Sequence, residues 1–313
     1  MPAETLKIGV SQCLVGDAVR YDGADKLNHA VVDRLGMHFE LVPVCPEVEA
    51  GMGVPRETVQ LESSESDLRM VGTSSGADYT DTMQGYAIER VDELSDAQLR
   101  GYVLKSRSPS CGLDVAVQGE GGSTSKGLFA AELIKALPGL PAVEETDLAD
   151  EAKLQNFVER MFAYDRQMTF MSQPRSVGQL VMSHAQARLQ LEAHSADAHD
   201  QVGRVFEQAG EVSYDELCEQ YLASFMDSIA TPVTRVAHMG VMKSVFTAIK
   251  ADLEPTAQKE VARSLQEYRQ SVVPLAVPVT LLRHYVRISE HPMFHMQTYL
   301  EPGPRELMLR TVH

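Results

Sequence analysis

The residues best suited to chemistry are three cysteines, each just past a short apolar run. Lys7-Ile8-Gly9-Val10-Ser11-Gln12 leads into Cys13, and Phe39-Glu40-Leu41-Val42-Pro43-Val44 leads into Cys45. Gly101-Tyr102-Val103-Leu104 reaches Cys111 through a Ser/Pro turn. Short runs of this kind read as β-strands. In an open parallel α/β sheet the carboxyl ends of the strands line one edge, where ligands bind. Cysteines remote in sequence can therefore meet there. A [4Fe-4S] cluster usually takes four cysteines, so three would leave one iron open. Three thiolates and a water would instead resemble a catalytic zinc site. No pair forms CxxC, and on spacing alone buried cysteines acting as small apolar residues remain the alternative.

The immediate neighbours add chemistry. Cys45-Pro46-Glu47 sets a carboxylate two residues beyond one thiol. Ser108-Pro109-Ser110-Cys111-Gly112 sets two hydroxyls within three residues of another. The prolines fix the backbone and remove a donor each, and Gly112 permits close approach. A rigid loop with an acid and hydroxyls beside a thiol suits a reactive centre better than a core.

The elements that must position these residues follow from strand–helix alternation. Residues 1–148 predict an α/β domain with a mainly parallel sheet and helices on its faces. The pattern gives a short helix over 28–35, a hairpin or short strands over 57–71, and a helix over 80–90. It gives another helix starting at Ser95 as N-cap, a strand at 115–117, and a helix over 128–137. Pro138-Gly139-Leu140-Pro141 closes that helix, Val143 to Thr146 read as the crossing to a new texture, and the boundary falls near residue 150. Residues 150–313 predict an all-α bundle with helices at 177–193, 196–209, 213–229, 232–250, 255–270 and 275–289, after a first apolar helical face at 154–162. The tail from His291 reads as extended.

Composition narrows the function classes. The 313 residues are 44% hydrophobic, so a sizeable core can form, and the net charge is −16. Residues 1–148 carry 12 Lys/Arg against 24 Asp/Glu, and the remainder 16 against 20. The acidic first half opposes a phosphate backbone but not a small neutral base. Residues 231–313 carry 10 basic against 7 acidic residues, a weak bias toward an RNA surface. No run of about 18 apolar residues predicts a membrane span. Four cysteines without a secretion-like leader read as reduced thiols, which places the protein in the cytoplasm.

Three ordered motifs carry a family resemblance. They are Ser11 to Gly16 with Arg20-Tyr21-Asp22-Gly23, Val44 to Val48 with Gly51-Met52 and Pro55-Arg56, and Lys105 to Gly112. Over 1–148 they resemble the thiouracil desulfidase family, whose [4Fe-4S] cluster is held by three cysteines with one open iron. The resemblance implies Cys13, Cys45 and Cys111 as cluster ligands, and Glu47 and Ser108 as catalytic acid/base and hydroxyl, with Ser110 competing for the latter role. It implies a small thiolated heterocycle as substrate. The exocyclic sulfur would meet the open iron, Glu47 would activate water, and Ser108 would relay a proton. Tyr221 to Met226, Arg235 with His238, Val277 to Tyr285 and the Tyr299–Leu309 tail resemble a helical domain of unknown function often fused to this one. A thiolated nucleoside in RNA is the alternative substrate, and a non-catalytic iron–sulfur or zinc sensor the alternative function. No oligomeric state is indicated.

Other side chains carry weaker readings. Arg20, Asp22 and Arg56 can contact substrate, but a loop-bridging ion pair is the simpler reading. Lys105 can balance a cluster or merely end a strand. Gly119 to Ser125 can hold an anion before a helix, though a plain loop is simpler. Cys218 reads as a packed thiol, and His184, His194, His238 and His284 as buried or capping residues.

Overall fold

The computed structural model describes residues 5–64, 67–119, 122–173, 175–301 and 303. One compact unit ends at Phe157 and a second begins at Val158. The first unit is α/β. Its principal sheet has the order β2-β1-β5-β8, formed by β1 (Lys7–Ser11), β2 (Glu40–Val44), β5 (Leu99–Leu104) and β8 (Ala142–Glu144). Every neighbouring pair in it is parallel. A second sheet has the order β4-β3-β6-β7. Its strands are β3 (Val59–Ser64), β4 (Asp67–Gly72), β6 (Val115–Gln118) and β7 (Thr124–Ser125). In it β3 and β4 form an antiparallel pair, which realises the expected hairpin.

The helices of this unit are α1 (Pro46–Glu49), α2 (Thr80–Asp96) and α3 (Leu128–Ala136). Ser95 lies in the last turn of α2 rather than capping a second helix. Met83, Ala87, Val91 and Leu94 form one unbroken buried stripe, and nothing interrupts it at residue 90. Val143 and Glu144, expected in the crossing, instead belong to the edge strand β8, whose residues Ala142–Glu144 pair with Tyr102–Leu104. Three residues are too few to show period-2 alternation in sequence. The short helix at 28–35 is a wide turn over Ala30–Leu35, with Gly36 N–H donating to Val31 O at 2.9 Å.

Gly9 fixes how β1 and β5 pack. A Cβ there would fall 2.2 Å from Tyr102 Cδ2, so the ring lies across the glycine. The Tyr102 ring is fully buried and meets Phe129 at 5.8 Å between centroids.

The helix α4 (Glu151–Met171) runs through the division between the units. The second unit is built of helices: α5 (Val177–Gln186), α6 (Arg188–His194), α7 (Ala198–Gly203), α8 (Tyr214–Ser228), α9 (Arg235–Ile249), α10 (Pro255–Arg269), α11 (Ala276–Ile288) and α12 (Pro292–His295). Ser176, Ser213 and Thr234 cap α5, α8 and α9 through their side chains. The expected single helix over 177–193 breaks at Ala187, whose N–H is shared between the Ser183 and His184 carbonyls. The buried face then shifts from Leu180 and His184 to Leu189 and Leu191. Met242, Val245, Ile249, Leu265, Leu282 and Val286 fill the core between α9, α10 and α11. The tail carries two helical turns, Pro292–His295 and Thr298–Leu300, instead of an extended segment; residues 304–313 lie outside the described residues. No described helix is long and apolar enough to cross a membrane.

Two tests follow from this packing. Gly9→Ala forces the Tyr102 ring out of place and is expected to destabilise the fold by about 1–3 kcal/mol in a denaturant titration. Burial pushes His184 and His238 down to about 4 from the usual 6.5. Between those values the unfolded chain binds more protons than the folded one, so stability falls as pH drops through that window. The thermal midpoint of the wild type should decline from pH 7 to pH 5, and His184→Phe with His238→Phe should flatten that decline.

Candidate functional site

Because β2, β1 and β5 are adjacent and parallel, their carboxyl ends share one sheet edge. Cys13 stands two residues beyond β1, in the one-turn helix Gln12–Val15 closed by Gly16 in the left-handed region at φ 98°. Cys45 directly follows β2 and caps α1. Cys111 lies in the loop after β5. All four cysteines are free thiols; Cys45 and Cys111 are buried and Cys13 is partly so. Cys218 lies on α8 in the second unit.

The Cys111 loop is held from several sides. Gly112 N–H donates to Ser108 O at 2.8 Å, and Gly127 N–H donates to Gly112 O at 2.8 Å. Leu128 and Ala130 N–H, in the first turn of α3, donate to Pro109 O and Ser110 O at 3.1 Å each. A Cβ at Gly127 would lie 2.4 Å from Ser110 O, so residue 127 must be glycine for α3 to reach the loop. Glu145 accepts from Ser106 N–H at 2.6 Å, Ser106 Oγ at 2.9 Å and Lys105 Nζ at 2.5 Å. Glu144 accepts from Leu113 N–H at 2.8 Å. Adjacent carboxylates at the end of β8 thus fasten both ends of the loop. Neither carries a local sequence signal, because the three residues of β8 are too few to show strand alternation.

Glu47 and Ser108 are in contact. Ser108 Oγ donates to Glu47 Oε1 at 3.3 Å and accepts from Ser110 N–H at 3.3 Å and Cys111 N–H at 3.2 Å. Cys45 Sγ faces Glu47 Oε2 at 3.6 Å. Arg56 donates to Val19 O at 2.9 Å and Gly53 O at 3.0 Å, and stands 3.9 Å from Glu47 Oε2. It joins the first two cysteine loops and faces the carboxylate. Arg20 pairs with Asp22 at 3.9 Å, part-exposed. Lys105 is held by Glu145 rather than by solvent. Ser110 is fully buried, and its hydroxyl finds no partner. The loop over 119–125 includes residues outside the described set, while Thr124–Ser125 pair with β6.

The electrostatics of the three thiols are linked. Burial, then the charge of Glu47, pushes Cys13 up to about 11 and Cys45 up to about 12. The same two causes, with smaller contributions from Cys45 and Cys13, hold Cys111 well above the usual thiol range. Lys105 and Arg20 act in the opposite sense on Cys13, and Ser11 on Cys111. Ionised together, these thiolates need positive charge among them, and a bound metal supplies it while releasing protons. Two buried hydroxyls near Cys111 also lack protein acceptors: Ser110 Oγ and Tyr102 OH. Each costs on the order of 1–3 kcal/mol unless something accepts from it. Among the described residues no three His, Cys, Asp or Glu side chains are grouped to hold one metal ion.

The clasp on the Cys111 loop has a measurable consequence. Glu145→Ala strands the Lys105 cation and Ser106 N–H inside the loop and should cost on the order of 3–5 kcal/mol by chemical denaturation. Glu144→Ala removes one hydrogen bond and should cost about 1 kcal/mol.

Two families match separate parts of the chain. Residues 8–145 match the family 2-thiouracil desulfurase, and residues 188–304 match a family described as a protein of unknown function (DUF1722). The uncharacterized protein YbbK of Bacillus subtilis (strain 168) is 28% identical over 149 residues, which cover 45% of this chain and 97% of YbbK. The uncharacterized protein YbgA of Escherichia coli (strain K12) is 23% identical over 134 residues, covering 42% of this chain and 79% of YbgA. A solved structure of a [4Fe-4S]-dependent thiouracil desulfidase, TudS, is 31% identical and spans 46% of this chain and 94% of its own, at a TM-score of 0.40. Over residues 8–145 the chain belongs to the 2-thiouracil desulfurase family, and that domain is joined to one of the family of unknown function.

Proposed function

We propose that the first unit removes sulfur from a thiolated pyrimidine, replacing C=S by C=O, with Cys13, Cys45 and Cys111 holding a [4Fe-4S] cluster. Family membership supports a desulfidase-type enzyme. The observation that carries the finer reading is the Glu47–Ser108 hydrogen bond beside Cys45 and Cys111. It sets a carboxylate against the Cys45 thiol and a hydroxyl against the Cys111 backbone N–H, on the edge to which β1, β2 and β5 all deliver their ends.

When bound, the cluster would supply a thiophilic Lewis acid to polarise the C=S bond. Glu47 takes a proton from the attacking water as general base. Arg56 orients its Oε2, and the Ser108 hydroxyl orients its Oε1. Ser108 Oγ already accepts from two backbone N–H groups, so its own proton is directed at the carboxylate. That arrangement lets it return a proton to the heterocycle or to the departing sulfur. It also favours Ser108 over Ser110, which has no contact with Glu47. Water enters and hydrogen sulfide leaves: one C=S bond breaks, one C=O bond forms, and no electron is transferred.

A second reading places the thiopyrimidine in RNA, with residues 150–313 as the grip. The excess of 10 basic over 7 acidic residues in 231–313, against the acidic first half, favours it. One panel separates the readings. Anaerobically reconstituted full chain is assayed for sulfide from free 2-thiouracil and from thiouridine-containing RNA, at low and high salt. A free-base enzyme turns over the first with little salt dependence. An RNA enzyme prefers the second and loses affinity steeply with salt. A colourless protein with one zinc would overturn both. Glu47→Ala should lower sulfide release about 10²–10⁴-fold while iron content and visible absorbance stay unchanged. Release at the wild-type rate would remove Glu47 from the mechanism.

A further inference from the structure

A second carboxylate lies on the other side of Cys45, and the reaction above does not use it. Glu49 Oε1 accepts from Cys45 N–H at 3.0 Å. Its Oε2 accepts from Tyr86 OH at 2.6 Å and pairs with Arg90 Nε at 3.2 Å. Tyr86 and Arg90 sit one turn apart on α2, and Tyr86 packs on Phe129 of α3 at 6.4 Å. One helix from outside the cysteine loops, itself braced through Tyr86 on α3, thus holds the Glu49 side chain, and that side chain holds the backbone of a proposed ligand.

The simple alternative is a helix cap. Cys45 occupies the N-cap of α1, and an acid in the first turn that reaches back to the N-cap N–H is a familiar device. Two features exceed what a cap needs. α1 is only Pro46–Glu49, a single turn with little helix to stabilise. And the carboxylate is braced on its far oxygen by a phenol and a guanidinium from another element. Bracing of this kind fixes a side chain's position, which a ligand loop requires and a one-turn helix does not.

We propose that Glu49 is a positioning residue for Cys45: it fixes the ligand's backbone and places a negative charge beside the metal group. This rests on the cluster reading above. Backbone N–H groups near cluster ligands commonly point at sulfur and raise the reduction potential, as does any loss of negative charge nearby. Here the Cys45 N–H is taken by a carboxylate instead. The expected result is a cluster that resists reduction, as suits chemistry in which no electron moves.

The test uses full-length chain, anaerobically reconstituted, as wild type, Glu49→Gln, Glu49→Ala and Tyr86→Phe. Iron per chain, the rate of iron loss to a chelator, and the midpoint potential by EPR-monitored titration are measured. Glu49→Gln keeps an acceptor for Cys45 N–H but loses the charge. It should load iron to within about twofold of wild type and show a more positive midpoint. Glu49→Ala should lose iron several-fold faster. Tyr86→Phe should fall between wild type and Glu49→Ala in iron loss, with a near-native potential. A helix cap predicts lower thermal stability in Glu49→Ala with potential and iron retention unchanged in every variant, and that result overturns the proposal. If Glu49→Ala does not fold, the Glu49→Gln midpoint decides alone. A wild type that binds no iron overturns the cluster reading as well. A loaded wild type with indifferent variants overturns only the role of Glu49.

Discussion

Adjacent parallel strands end on the same edge, and the rest of the first unit depends on that constraint. Were β1 antiparallel to either neighbour, Cys13 would fall at the opposite end of the sheet from Cys45 or Cys111. Parallel order also requires crossovers that cover the sheet, and these crossovers supply α2 and α3. α3 then returns as a clamp, since its first-turn N–H groups are the donors that fasten Pro109 and Ser110. One topological choice thus sets both the shared edge at which the three cysteine loops emerge and the rigidity of the loop that carries the third.

The second feature is an unusual charge balance around the thiols. Glu47, Glu49 and Glu145 approach the cysteine loops, against Arg56, Arg90 and Lys105. Each carboxylate is matched by one cation, so the thiolates themselves remain uncompensated. Without a bound cation they stay protonated, which is the direction that burial and Glu47 impose on all three.

Much of this was legible in sequence because it is local. A cysteine after an apolar run marks a strand end, and the Pro-Glu and Ser-Pro-Ser neighbours mark the loops. What escaped is what depends on partners distant in sequence. β8 is three residues long, and only its pairing with Tyr102–Leu104 makes it a strand. Glu144 and Glu145 therefore looked like linker charges, although Glu145 reaches back about forty residues to Ser106. Glu49 has no sequence signal of its own; α2, about forty residues on, brings Tyr86 and Arg90 to it. In the second unit the break at Ala187 follows from the change of buried face between α5 and α6, which a continuous apolar pattern conceals.

The charge distribution also constrains how the two units divide their labour. With 12 basic against 24 acidic residues, the segment 1–148 repels any polyanion that approaches its sheet edge. A free thiopyrimidine carries no such charge and meets no such repulsion. A thiolated nucleotide within RNA brings flanking phosphates to the acidic rim, and that repulsion must be offset by contacts elsewhere. Over the remaining residues 16 basic face 20 acidic ones, so the offset cannot come from net charge. It would have to come from a local arrangement of the exposed basic side chains in 231–313, where Lys243, Lys259, Arg269 and Arg287 reach solvent. The sign of the charge on residues 1–148 thus separates the two proposed substrates, a free base and a base within RNA.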